Sequence, residues 1–598
     1  LAAQQRVEYD ISFPNAAQHE ARVVATFRGV PRGSVLHARM SRSSPGRYAL
    51  HEFAKNVYDV SAEDSRGRAI ALSRPDPYGW DAAGHDGTVR ISYTVFGDRT
   101  DGTYLGVDRT HAHLNMPATF MWARGMDAAP IRLAIHRPSE WQVATQLVPT
   151  SDSTFTAPNL QWFMDSPTEV GPVTWRSWSD SSGGKRSTWR MAIHHLGTEA
   201  QVDSFAAMTR RVVAEEVAIW GEPAGYDHGT YTFIVDYLPW ASGDGMEHRN
   251  STIVSGRGSL VDSAARIARL GTIAHEFFHS WNVERLRPKG LEPFDFERAN
   301  MSGELWFAEG FTSYFGPLAI RRAGLYTDEQ FLRDVGGSAI QVIDAPGRQH
   351  FSAVEMSMQA PFVDAATSVD PVNRANTFIS YYTWGEALGL ALDLSLRERF
   401  DRSLDEFMRT MWRDFGRRQT AALAPARPYT VRDLRVALGS FTRDTAFAND
   451  FFRRYVEGRE VADYARLLAP AGFLLAADTV VRPSLGASLD DDTTGVFVNW
   501  SSSSGSAYAA GIGSGDIIYS VGGEATTTAA ALRAAVARHR VGETVQVDVR
   551  QRGLRHTIPM TLRGQPSLSI VTCESAGRPV TDEIRKFREA WLGSKVKR

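Results

Sequence analysis

Thr272-Ile273-Ala274-His275-Glu276-Phe277-Phe278-His279-Ser280-Trp281 lies near the middle of a chain of 598 residues. Ile267, Leu270, Ile273, Phe277, Phe278 and Trp281 recur at helical spacing and cover more than one side, so the predicted helix is buried. On it His275 and His279, four residues apart, project from one face, one turn above the other. Two imidazoles so placed can hold one Zn²⁺ at about 2.0–2.1 Å each. Glu276 follows the first of them and can reach a water on the metal. The alternative is two histidines that merely flank the helix, with Glu276 facing solvent. A buried carboxylate beside two histidines needs a partner, and a metal ion supplies one.

His-Glu-x-x-His is the pattern of zinc peptidases. Catalytic zinc usually takes a third protein ligand. Downstream stand Glu284, Glu292, Glu297, Glu304 and Glu309. Glu284 is too close, its helical angle being about 140° off the face of His279. Glu297 has a spacing seen in several zinc peptidases, but Pro293-Phe294-Asp295-Phe296-Glu297 reads as a loop. Glu309 lies in Leu305-Trp306-Phe307-Ala308-Glu309-Gly310-Phe311-Thr312-Ser313-Tyr314, an apolar helix in which a carboxylate is out of place without a partner. The helical setting favours Glu309.

Outward from this segment the chain divides. Residues 1–165 read as β-rich. Val7, Tyr9 and Ile11 alternate with polar residues, as do Val89, Ile91, Tyr93 and Val95, and then Ile131, Leu133 and Ile135. An antiparallel sheet or sandwich with no cluster of chemistry-bearing residues is expected there. Residues 166–470 mix and then turn helical. Glu199 to Trp220, Asp262 to Asn282, Leu305 to Ala323, Thr327 to Ile343, Tyr382 to Phe400 and Leu404 to Phe415 are the predicted helices, with Asp262 and Thr327 as N-caps. Thr230 to Tyr237 is a predicted strand. Residues 480–566 form a smaller unit of short strands with one helix, capped by Thr528, and 567–598 are a tail expected to fray. The class is multidomain α+β.

Hydrophobic residues make up 43% and charged residues 22%, an ordinary globular balance. Lys plus Arg number 66 against 68 for Asp plus Glu, a formal net charge of −2. That gives no electrostatic reason to expect nucleic acid as a partner. The single cysteine, Cys573, excludes an internal disulfide framework and a Cys-rich zinc finger. No stretch reaches about 18 uninterrupted apolar residues, so no membrane span is expected. The start at Leu1, without Met, fits a mature periplasmic or secreted chain after signal-peptide removal.

The segments around His275 and Glu309 together resemble the gluzincin metallopeptidases, and among them the glycyl aminopeptidase family. Its members join a β-rich N-terminal domain, a thermolysin-like catalytic domain and a C-terminal PDZ domain, the order of units here. The resemblance implies one zinc ion per chain held by His275, His279 and Glu309, the family's longer interval to the third ligand favouring Glu309 over Glu297. Ser380-Tyr381-Tyr382-Thr383-Trp384-Gly385 resembles the Tyr-x-Lys-Gly segment of related aminopeptidases, whose Tyr donates to the oxyanion. Counting back from Gly385 matches Tyr382, with Tyr381 the alternative register because Trp384 replaces the Lys. Gly243-Asp244-Gly245-Met246-Glu247-His248 resembles their Gly-x-Met-Glu-Asn loop, which implies that Glu247 binds the substrate's α-ammonium while Gly245 and Met246 flank the peptide. Ala510-Gly511-Ile512-Gly513-Ser514-Gly515-Asp516-Ile517-Ile518 resembles a PDZ segment, and Ser484-Leu485-Gly486-Ala487 sits where the carboxylate loop belongs. Asp490, Asp491 and Asp492 close behind it would disfavour an incoming C-terminal carboxylate.

The implied function is a zinc aminopeptidase that prefers N-terminal Gly or Ala, with Glu276 as general base. A PDZ-containing zinc endopeptidase would need no amine site. A silent PDZ scaffold would need no Glu276.

Overall fold

The computed structural model describes residues 4–181, 186–363, 371–564 and 566–597. The alternating runs at the N-terminus become strands. Arg6–Asn15 pairs antiparallel with Glu20–Arg28, Tyr9 opposite Ala25, and parallel with Ile131–His136, Tyr9 opposite Leu133. They lie inside an eight-stranded sheet flanked by two four-stranded sheets, so three sheets and not two close around this core. Tyr9, Phe120 and Phe163 meet with ring centroids 4.9–5.3 Å apart. The buried phenols of Tyr9 and Tyr93 donate to the carbonyls of Met121 and Thr119 at 2.7 and 2.9 Å, so neither polar tip is stranded.

A fourth sheet, of five strands, begins the central region. Its strand order is Thr174–Asp180, Ser187–His195, Thr230–Tyr237, Ser251–Gly256 and, at the edge, Asp244–His248. The middle three run parallel and the edge strand antiparallel. The crossover helix Glu199–Trp220 starts at a capping box of Thr198 and Gln201 and stops at Gly221, whose φ of 83° a side chain would oppose. The helix Ser263–Phe278 starts at Asp262, whose carboxylate accepts from the Ala265 N–H.

Two expected helices are shorter than their apolar patterns. The first ends at Phe278 rather than Asn282. Beyond it the Nδ1 of His279 is 2.5 Å from the Asn282 carbonyl, a contact that replaces helical continuation. The second is broken at Glu309 into Leu305–Ala308 and Gly310–Arg322. It lies against the helix Tyr381–Phe400, and the two backbones nearly touch. A Cβ on Gly310 would stand 2.2 Å from the Cα of Gly385, and one on Gly385 would stand 1.9 Å from the Trp306 carbonyl oxygen. Only glycine permits that crossing. No helix among the described residues is long and apolar enough to cross a membrane.

The small third unit is inserted into the second. The chain leaves along Phe473–Ala477 and returns along Leu568–Thr572, paired antiparallel with Ala477 opposite Leu568. Between them a sheet ordered Ala487–Asp491, Val496–Ser501, Ile517–Val521, Thr544–Gln551, Leu554–Thr561 closes over its own core of Val496, Val498, Ile518, Leu532, Val547 and Met560. The helix Ala529–Val536 is capped by Thr528 as expected. Asp491 accepts from the Ala529 N–H at 2.7 Å and Asp492 from Thr494, so both cap local backbone.

The last residues do not fray. The helix Asp582–Leu592 buries Trp591 completely among the catalytic helices. The Trp591 indole donates to the Tyr314 hydroxyl at 2.8 Å, and that hydroxyl donates to Asp393 at 2.6 Å. Arg322 bonds the Trp591 carbonyl at 2.9 Å and pairs with buried Asp405 at 2.8 Å. A charged tail sequence hid one tryptophan with a preformed slot. Truncation at about residue 480 therefore removes a wall of the catalytic core. It should give an insoluble or unfolded protein. Excision of residues 479–566, with Asp478 joined to Ser567 through a short Gly-containing turn, should leave a folded protein that binds metal. Circular dichroism and elemental analysis of the two products check this. A well-folded truncation would mean that the C-terminal helix is dispensable.

Candidate active site

His275 and His279 turn their Nε2 atoms toward each other at 3.0 Å. The Oε2 of Glu309 lies 3.3 Å from the first and 3.1 Å from the second. Ligands about 2.0–2.1 Å from a tetrahedral zinc stand about 3.3–3.4 Å from one another. Three donor atoms at 3.0–3.3 Å therefore fit one such ion. The contact of the His279 Nδ1 with the Asn282 carbonyl places the ring proton on Nδ1 and leaves Nε2 as a lone pair. Burial alone would push His279 down. Glu309, Glu247 and Glu276 reverse that and hold it up at about 10, so the site favours positive charge. Burial would likewise raise Glu309, but the two imidazoles outweigh it and hold the carboxyl well below the usual range.

Asn282 also fastens the third ligand. Its amide donates to the carbonyls of Phe307 and Ala308 at 3.2 and 3.1 Å. One residue thus sets the ring orientation of His279 and the turn that presents Glu309. The other oxygen of Glu309 accepts from the hydroxyl of Tyr48. Tyr48 belongs to the N-terminal β region, where no chemistry was expected. Burial, and then the charges of Glu309 and Glu247, push its phenol well above the ordinary value, so it stays a donor. Its neighbour Arg47 donates to the Gly245 carbonyl at 3.1 Å and to Thr103 at 2.8 Å, and pairs with Asp244. The loop that holds both residues bonds the edge strand and the third ligand at once.

Glu276 is buried, and burial pushes its carboxyl well above the usual range. Gly245 leaves the space it fills: a Cβ there would stand 2.3 Å from Oε1 of Glu276. Donor atoms of Glu247, Glu276 and His279 lie within 4.8 Å of one another. Burial pushes Glu247 up to about 7. Along this strand side chains alternate, and Met246 points away from Gly245 and Glu247 into a small core with Ala192, Ile234 and Ile253. Its side chain packs in that core, which leaves the backbone of Met246 as the part that can flank a peptide. His248 is buried with its Nδ1 2.8 Å from Asp165.

The ring of Tyr382 lies 5.8 Å from that of His275, whereas Tyr381 is buried against Tyr48. Trp384 faces the core. Glu297 is remote from the histidines in its partners: it makes a forked pair with Arg124, 2.7 Å at the Nε. Sequence reasoning missed Tyr48, Arg47 and Asn282. Asn282, three residues past His279, carried only the local signal of a polar residue between Trp281 and Val283. The other two carried none.

The family model of the Peptidase M61 N-terminal domain matches residues 8–172, that of the M61 glycyl aminopeptidase residues 268–388 and that of the PDZ domain residues 483–562. No curated protein matches the chain. A solved aminopeptidase N family protein from Idiomarina loihiensis is similar over 95% of this chain and 98% of its own, with 23% identity and a TM-score of 0.81, which fixes the fold. An M1 zinc metallopeptidase from Deinococcus radiodurans is more distant, with 15% identity over 76% of this chain and 94% of its own and a TM-score of 0.44. The donor set of His275, His279 and Glu309 lies inside the segment that the M61 glycyl aminopeptidase model matches, so the chain carries M61-type and PDZ domains and is a metallo-aminopeptidase.

Proposed function

We propose that this enzyme removes single residues from the free N-terminus of peptides, using one zinc ion held by His275, His279 and Glu309. The carrying observation is the position of Glu247, a buried carboxylate beside Glu276 and His279 on the edge strand of the sheet. A zinc ion in the donor set supplies Lewis acidity, which lowers the pKa of a water and polarises the scissile carbonyl. Glu276 takes the proton of the attacking water and passes it to the leaving amine. The hydroxyl of Tyr382 donates to the carbonyl oxygen as negative charge builds there. The edge strand Asp244–His248 offers backbone to a peptide added as a further strand. Glu247 holds the α-ammonium one residue from the scissile bond.

A preference for Gly or Ala at the N-terminus is supported by the family description and by the crowding of this corner. Tyr48 stands close to both Glu309 and Glu247, with the ring of Tyr381 6.1 Å from its own. The inserted domain offers a second, peptide-binding sheet edge.

Two outcomes follow. Glu309→Ala should lose one equivalent of zinc by elemental analysis, whereas Glu297→Ala should lose none. The reverse result would move the third ligand. Glu247→Ala should lower kcat/KM on a free peptide about 10- to 150-fold, the cost of roughly 1.5–3 kcal/mol for a charge-assisted hydrogen bond. Acetylating the peptide amine should harm the wild type at least as much and the variant hardly at all. Equal cleavage of free and acetylated peptide by the wild type would instead establish an endopeptidase.

A further inference from the structure

A second group of ligating side chains is buried where the N-terminal β region meets the central sheet, and the reaction above uses none of it. Two cross-strand pairs face each other there. His113 stands opposite Glu169 in one sheet, and His194 opposite Asp236 in the other. His111, two residues before His113, completes the set. None of the five is more than 4% exposed.

The distances leave the group short of protons or of a cation. Glu169 is satisfied on one side only, its Oε2 lying 3.3 Å from the His113 Nδ1. Its Oε1 is 4.0 Å from the Nδ1 of His194, which is 3.8 Å from the Oδ1 of Asp236. These separations are too long for hydrogen bonds. His111 Nε2, His113 Nε2, Glu169 Oε1, His194 Nδ1 and Asp236 Oδ1 are all buried without a hydrogen-bond partner among the described residues. Buried polar atoms are normally paired, and five orphans on one cluster call for a common partner. Donor atoms of His111, Glu169 and His194 lie within 4.8 Å of one another, as do those of His113, Glu169 and Asp236. Two ligands about 2.0–2.2 Å from one ion stand 3.8–4.0 Å apart when the angle between them is wide.

The chemistry of the set agrees. The Nδ1 of His111 is 3.0 Å from the Thr110 hydroxyl and 3.4 Å from Asp108, which turns Nε2 toward Glu169 and His194 as a lone pair. Imidazole and carboxylate without thiolate is the donor set of a divalent transition metal such as Zn²⁺ or Mn²⁺. The two carboxylates would balance its charge.

We propose that a second divalent metal ion binds between His111, Glu169 and His194, with Asp236 as a further ligand. Glu169 is oriented by His113, and the ion clamps the N-terminal β region to the central sheet. Its role is structural, since every ligand is sealed from solvent.

The test is a metal count on the full chain, purified and reloaded with ZnCl₂ or MnCl₂ after chelator treatment. Wild type should hold two equivalents. Glu309→Ala, which lacks the first site, should hold one, and adding the metal to its chelated form should raise Tm by several degrees. Glu169→Gln should hold one equivalent and still cleave peptide when loaded with zinc. Should Glu169→Gln fail to fold, the count in Glu309→Ala decides alone. A wild type with one equivalent and a Glu309→Ala variant with none would overturn the proposal.

Discussion

The backbone contact between Gly310 and Gly385 is the constraint on which the site depends. Two helices can cross this closely only where neither carries a side chain at the crossing. The crossing puts Glu309, one residue before Gly310, beside the histidine pair, and puts Tyr382, three residues before Gly385, over His275. Neither carboxylate nor phenol could reach if the helices stood at an ordinary 8–10 Å axial separation. The helix break at Glu309 belongs to the same device. Asn282, bonded to the carbonyls of Phe307 and Ala308, holds the broken turn from the other side.

The site is composite. The histidines, Glu276 and Glu309 come from the helical region, whereas Tyr48 and Arg47 come from the N-terminal β region and bond the third ligand and the edge strand. An N-terminal region that read as scaffold therefore shapes the site directly. The cluster of His111, Glu169 and His194 lies at the same junction of the two regions. A clamp there would hold the loop of Tyr48 at a fixed height over Glu309, since a ligand displaced by about 1 Å costs catalysis heavily. The C-terminal helix performs the equivalent service on the far side, plugging Trp591 between Tyr314 and Arg322.

Much of this was legible in the chain. Local patterns carried it: four-residue histidine spacing, two-residue alternation in the strands, and caps at Asp262, Thr327 and Thr528. Glu309 was legible because a carboxylate in an apolar helix has few explanations. What escaped were contacts between distant segments. Tyr48 meets Glu309 across 261 positions, and nothing in Gly46-Arg47-Tyr48 announces a partner. The final helix escaped for a similar reason, since its surface is charged and one tryptophan does the packing. The shortened helices escaped because apolar spacing continues through His279 and Glu309, while side-chain bonds to backbone end the regular turn.

The crossing itself is open to direct measurement through Gly385→Ala. The added methyl group must displace the Trp306 carbonyl, an overpacking that costs roughly 1–3 kcal/mol. The circular dichroism spectrum should stay native with a lowered Tm. Zinc affinity, read by competition with a chelator, should fall by about 10- to 100-fold as Glu309 is moved off the histidine pair. A Gly385→Ala enzyme that binds zinc and cleaves peptide as the wild type does would contradict the account.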